Sequence, residues 1–311
     1  MRFFTDWQHN DRASVNASTN ANANANANAN AKGVSMNSLI AEPWLTIVTG
    51  HYGVGKTNLS LNSARDIRAK VEKVTLIDLD LVNPYFRTTD NRELLEGWDI
   101  RVLGPVYGAS SLDTPSLTPG IDEAIVEASE RHAVVFDVGG DPEGARALGR
   151  FAEKIASRPY RMIHVINLRR PETASVEENI MLLRAVEATS GLKATAIAGN
   201  THLKELSTAE DIVAAIGPTC DIAAAAGLPL SFVAVPRRLA AEVKAALAES
   251  ELAMGESAEN TPAESDLAMG ESAEEAMTDA EPTERVLAQS LSAANIPIYP
   301  VDIIVGTPWE V

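Results

Sequence analysis

Residues 50 to 57, Gly-His-Tyr-Gly-Val-Gly-Lys-Thr, run glycine, four free positions, then Gly-Lys-Thr. That pattern works as a tight loop between the end of a buried strand and the start of a helix. The flanking residues agree. An apolar run, Trp44 to Thr49, leads in, and residues 56 to 70 lead out with Leu59, Ala64 and Ile67 spaced for one buried helical face. Gly50, Gly53 and Gly55 let successive backbone N–H groups turn inward around an anion, and the helix that follows points its partly positive N-terminus at the same place. His51, Tyr52, Val54 and Asn58 complete the expected cradle. Lys56 is expected over the β and γ phosphates of a nucleotide, with the Thr57 hydroxyl on Mg2+.

Two further apolar runs close on acids. Residues 74 to 80 end in Asp78-Leu79-Asp80, and residues 133 to 140 end in Asp137-Val138-Gly139-Gly140. In parallel α/β sheets ligands collect at the carboxyl ends of strands, so these carboxylates are expected to converge on the metal and the terminal phosphate.

Together these stretches resemble the MinD/ParA branch of P-loop ATPases. The subgroup they are most similar to is bacterial and marked by Gly-His-Tyr-Gly-x-Gly-Lys-Thr (50 to 57), Asp-x-Asp-x-Val-Asn-Pro-Tyr-Phe-Arg (78 to 87), Asp-Val-Gly-Gly-Asp (137 to 141) and Asn-Thr-His-Leu (200 to 203). The resemblance covers about residues 40 to 245 and the last strand. It implies that Asp80 positions or activates the attacking water and that Asp78 orders the outer shell of the metal. It implies also that Asp137 holds Mg2+ through water, that the Gly140 amide senses the γ phosphate, and that Asn200 reads the adenine edge. No Asn-Lys-x-Asp guanine signature occurs, which favours ATP over GTP. The family's second, signature lysine early in the loop, which reaches across a homodimer to the partner's phosphates, is His51 here. Hydrolysis that depends on that lysine is therefore in question. The segment Asn83 to Arg87 and the Gly/Ser/Pro-rich stretch Gly104 to Gly120 sit where switch or client-binding loops belong, and Arg169-Arg170 is a further basic pair that could face nucleotide or partner.

Composition sets the boundaries. Residues 1–35 carry an alternating Asn/Ala run, Asn20 to Ala31, with no apolar face, and are expected to be a disordered tail. Residues 249–284 contain Glu-Ser-Glu-Leu-Ala-Met-Gly-Glu-Ser-Ala-Glu and a near copy at 264 to 274, and read as an acidic low-complexity insert. Its 12 acids, with no Lys or Arg, account for most of the net charge of −17 and leave about −5 for everything else. Residues 36–248 and 285–311, about 240 in all, suffice for a single nucleotide-binding domain.

Within it, strand patterns near 44–49, 74–79, 100–103, 133–138, 161–167, 193–199, 230–235 and 298–305 alternate with helix patterns at 57–70, 121–131, 143–156, 173–188, 208–215 and 237–248. The expected fold is a three-layer α/β P-loop NTPase with a mostly parallel sheet of 7–8 strands and helices on both faces.

One cysteine, Cys220, excludes an internal disulfide and a shared four-cysteine cluster. His164, inside an apolar run, reads as a satisfied core residue. No secretory leader, no apolar run of about 18 residues and no basic amphipathic C-terminal helix is visible, so the expected location is the cytoplasm, with no membrane anchor. Nucleic acid is disfavoured as a partner by the negative charge.

The sequence therefore points to a Mg2+-dependent ATP-binding protein with ATP hydrolysis, a nucleotide-controlled switch acting as a homodimer or on a protein client. Two alternatives stay open. One is a small-molecule ligase or kinase like dethiobiotin synthetase or the cobyrinate enzymes; the other is a nucleotide-binding protein with little hydrolysis.

Overall fold

Eight short apolar runs become strands because β-branched and aliphatic residues alternate between two buried faces: in β1, Ile47 packs on one side of the sheet and Val48 on the other. The computed structural model describes residues 43–80, 91–104, 120–140, 142–201, 203–259 and 296–305. The expected tail, the segment at 83–87, most of the 104–120 stretch, Asp141, His202, the acidic segment beyond Glu259 and the chain end after Val305 lie outside the described residues.

The strands are β1 (Leu45–Gly50), β2 (Lys73–Leu79), β3 (Ile100–Leu103), β4 (His132–Val138), β5 (Arg161–Ile166), β6 (Ala196–Gly199), β7 (Leu230–Pro236) and β8 (Ile298–Val301). They form one sheet in the order β3-β2-β4-β1-β5-β6-β7-β8, and every pairing is parallel. Parallel neighbours require crossovers, which the helices supply.

One face carries α1 (Lys56–Arg68) and α2 (Arg92–Gly97), with Leu61, Ala64, Ile67 and Leu95 against Val74, Leu76 and Val135. The other carries α3 (Ile121–Glu127), α4 (Pro142–Gly149) and α5 (Ala152–Ala156) against β1, β2 and β4, where Phe136 is fully buried among Ile47, Ile77, Ile125 and Leu148. Farther along that face lie α6 (Val176–Ser190), α7 (Ala209–Ala214), α8 (Ile216–Ala226) and α9 (Ala240–Glu259), packed on Ile197, Val233 and Val235. The result is the three-layer α/β arrangement expected of a P-loop NTPase, with a sheet that is wholly rather than mostly parallel. Among the described residues no helix is long and apolar enough to cross a membrane.

The helices differ from their sequence patterns in four places. The expected helix at 143–156 is two, broken at Gly149, where the turn lies against the C-terminal carbonyls of α6: a Cβ at Gly149 would meet the Thr189 oxygen at 3.2 Å. α2 and α8 had no clear pattern of their own. In α8, Pro218 falls in the first turn, where a missing N–H costs no helical bond. α9 runs past 248 to Glu259, into the acidic segment, through residues dominated by the strong helix formers Ala, Glu, Leu and Met.

β1 sits at the switch point of the sheet. The chain leaves it toward β2 and β3 on one side, returns to insert β4 between β2 and β1, and then crosses to β5 on the other side. The loop after β1 therefore opens at the rim where a parallel sheet binds ligands.

Candidate functional site

At that rim the Gly-rich loop turns directly from β1 into α1. Gly50, Gly53 and Gly55 all have positive φ, 143°, 72° and 94°, which side-chain-bearing residues rarely adopt. Gly55 is the N-cap of α1; no side chain caps the helix, and its first turn holds no acid. An uncapped helix start free of carboxylates leaves the dipole's positive end available to an anion. Lys56 is 7% exposed, and its Nζ donates to the His51 carbonyl at 2.9 Å, across the mouth of the loop. Thr57 and Asn58 follow, half-buried, in the same turn.

The expected acids stand next to the loop. Asp78 and Asp137 are register partners at the ends of β2 and β4, and Val48 of β1 is in turn the register partner of Asp137. Both acids are almost fully buried, at 0% and 1%. The Ser60 hydroxyl of α1, also fully buried, donates to Asp137 Oδ1 at 3.2 Å and so ties the loop's helix to β4. Asp80 is turned by its own N–H, which donates to Asp78 Oδ1 at 3.0 Å. Its carboxylate lies over Gly139, where a Cβ would be 3.3 Å from Asp80 Oδ1.

Gly140 touches the loop backbone itself. A Cβ there would sit 2.5 Å from the Tyr52 nitrogen and 2.8 Å from the His51 carbonyl carbon, so no other residue fits. Thus Lys56, Thr57, Asp78, Asp80, Asp137 and Gly140 share one rim, brought together by three strands and α1. Among the described residues no three His, Cys, Asp or Glu side chains form a ready metal cage. Mg2+ does not require one, since it is ordinarily held by one or two protein oxygens together with phosphate oxygens and water. The Thr57 hydroxyl and the Asp78 and Asp137 carboxylates have that chemistry.

Asn200, at the end of β6, reaches the loop directly. Its Nδ2 donates to the Val54 carbonyl at 2.6 Å, and a Cβ at Gly55 would be 2.2 Å from that nitrogen. Asn58 departs from the simple cradle. Its side-chain amide donates to the Asp302 carbonyl and its Oδ1 accepts from Ile304 N and Val305 N. Any part Asn58 takes in ligand binding falls to its backbone N–H.

Beneath the loop, His164 is fully buried and hydrogen-bonded through Nδ1 to Thr49 Oγ1 at 3.3 Å, as a satisfied core histidine should be. Burial, reinforced by the nearby Lys56 charge, pulls its pKa down to about 4, so it stays neutral. His51 is different: its Nδ1 is buried and has no hydrogen-bond partner among the described residues. Cys220 is half-buried, and burial pushes its thiol pKa up, which makes it a poor nucleophile.

Sequence reasoning missed Ser60, because a serine one turn into a helix has no signature until β4 is known to lie beside it. It also missed the pairing of Gly139 with Gly144, where a Cβ on Gly144 would fall 2.6 Å from Gly139 Cα. That contact seats α4 against the end of β4 and holds Gly140 to the loop.

No family model matches this sequence, and neither does any curated protein. Among solved structures, the chain is similar to signal recognition particle 54 kDa protein from Aeropyrum pernix K1 in complex with GDP, with a TM-score of 0.41 and 16% identity over 70% of this chain and 53% of that one. FtsY from Elizabethkingia anophelis in complex with GDP gives 0.42 and 13% over 70% and 64%. FtsY from Thermotoga maritima gives 0.41 and 21% over 62% of each chain. This chain spans about half to two thirds of the length of these proteins. At that distance the chemistry of the site rests on its own geometry.

Proposed function

We propose that the chain binds Mg-ATP in the loop at 50 to 57 and hydrolyses it, working as a nucleotide-controlled switch of the MinD/ParA kind toward a second copy or a client protein. The observation that carries this reading is the seating of Gly140 and the Asp78, Asp80 and Asp137 carboxylates against one uncapped, lysine-bearing helix start. Anion cradle, candidate metal-facing oxygens and a candidate base share one rim of the sheet, as phosphoryl transfer requires.

Each residue then has a task. Backbone N–H groups of the loop and the Lys56 ammonium bind the polyphosphate, and Asp137, oriented by Ser60, holds the outer shell of Mg2+ with Asp78. The ion, when bound, neutralises charge on the phosphates. Asp80, fixed through its N–H on Asp78, orients the attacking water and accepts its proton. Gly140, in contact with the loop backbone, reports the presence of the γ phosphate to the segment that follows it.

Adenine is favoured by the absence of an Asn-Lys-x-Asp guanine signature. Asn200 uses one Nδ2 N–H on the Val54 carbonyl, which leaves its Oδ1 and second N–H to pair with the adenine amino group and ring nitrogen.

One observation favours slow turnover. The loop position where MinD/ParA-type ATPases place a second lysine holds His51, whose Nδ1 has no partner among the described residues. Asp80→Ala tests the catalytic assignment: it should retain Mg-ATP while phosphate release falls by about two orders of magnitude, the scale of a lost general base. Release at the unmodified rate would refute the role of Asp80. Tight retention of intact ATP by the unmodified protein would favour the slow-turnover reading.

A further inference from the structure

The fold treats the two arginines after β5 differently. Arg169 is taken up by an ion pair with Asp211 in the first turn of α7. Arg170 turns back onto the Gly-rich loop: its Nε donates to the Gly53 carbonyl at 2.9 Å. Its guanidinium packs on the Gly53 backbone, where a Cβ would be 3.3 Å from Cζ and Nε and 3.6 Å from Nη2.

The backbone that presents Arg170 is held by a buried polar frame. Arg170 N donates to the Asn167 carbonyl at 3.2 Å, and the Thr173 hydroxyl donates to the same carbonyl at 2.6 Å. Asn179 of α6 donates to the Thr173 carbonyl at 2.9 Å. Thr173 and Asn179 are 1% and 2% exposed. Such a frame fixes where an otherwise solvent-facing side chain begins. Among the described residues no carboxylate pairs with Arg170, and with Nε on Gly53 the N–H groups of Nη1 and Nη2 form the open end of its fork.

The loop needs that charge. Its own lysine is Lys56 alone, and position 51 is a histidine whose Nδ1 is buried without a hydrogen-bond partner among the described residues. A bound polyphosphate presents several negative oxygens, and fixed fork-shaped donors at the loop's edge suit them better than water does.

From this geometry we infer that Arg170 is a phosphate-binding residue, a second cation supplied in cis on the β5 side of the loop. Its terminal nitrogens take polyphosphate oxygens while Nε remains on Gly53. The inference rests on the nucleotide reading of the loop.

The test uses the full chain and two probes, Mg-ATP and inorganic tripolyphosphate, the second measured by displacement of a fluorescent ATP analogue. Arg170→Gln keeps a donor for Gly53 and removes the charge, and should weaken both probes by about ten- to a hundredfold, the range of one lost charge-assisted contact. Arg170→Lys should recover part of that loss, because charge returns without the fork. Gln binding both probes as well as the unmodified chain would overturn the inference. So would Lys and Gln weakened alike, since the guanidinium would then be only a strut for Gly53. Lys56→Ala run alongside separates the two levels. If the unmodified chain binds neither probe, the nucleotide reading fails and takes this inference with it. If the unmodified chain binds, Lys56→Ala does not and Arg170→Gln does, the inference alone fails.

Discussion

A neutral histidine directly beneath the Gly-rich loop ties stability to pH. The unfolded chain takes up a proton at His164 near pH 6.5, while the folded chain refuses it until about pH 4. Between those values the unfolded state binds more protons, so stability falls as pH drops through that window and is unaffected above it. In His164→Asn, which keeps a polar partner for Thr49, the acid slope of the unfolding free energy between pH 6.5 and 4 should be shallower by about one proton. Identical slopes would mean that burial does not hold this ring neutral. At this scale legibility in the sequence was uneven. Glycines 50, 53 and 55 are readable from spacing because a strand-to-helix turn of that length forces left-handed backbone there. Ser60 and the side chain of Asn58 are not, and Arg170 is readable only as one of a basic pair, because what each one meets depends on which strand the sheet places beside α1 or β5.

The element that carries the site is anchored far from it. Asn62 of α1, fully buried, donates to the Asn58 and Asp302 carbonyls and accepts from Asp302 N and Arg65. Arg65 and Arg237 both grip the Asp302 carboxylate, and the Tyr299 hydroxyl of β8 donates to Asp66. The segment 302–305 thus lies along the same helix that begins at Lys56, one turn from the Gly-rich loop. Asn62→Ala leaves the half-buried Asp302 N–H without its partner and should cost about 1–2 kcal/mol of stability. The amide of Asp302 should also exchange with solvent faster. Unchanged exchange at Asp302 would show that the clamp is held elsewhere. All eight strands are legible as apolar runs, because each is buried on both faces and bounded by polar turns. Helices were harder where tertiary contact overrode local preference: α4 and α5 part where Gly149 meets α6, and α8 forms despite Gly217 and Pro218.

For the whole molecule, strand order decides function. The sequence supplies strands with acids at their ends, but not the insertion of β4 between β2 and β1, which sets Asp137 beside Asp78 and behind the loop. With that order, a chain of net charge −17 gathers Lys56, Arg170 and an uncapped helix start at the rim that also holds Asp78, Asp80 and Asp137. The proposed binding of Mg-ATP uses these groups, and the negative charge of the rest of the chain opposes a nucleic-acid backbone there. Isothermal titration with Mg-ATP measures that claim most directly. The account predicts saturable one-to-one binding to the unmodified chain, weakened at least about tenfold in Lys56→Ala by loss of the phosphate-facing charge. Absence of any binding heat over a range of temperatures, or equal affinity in both proteins, would contradict it.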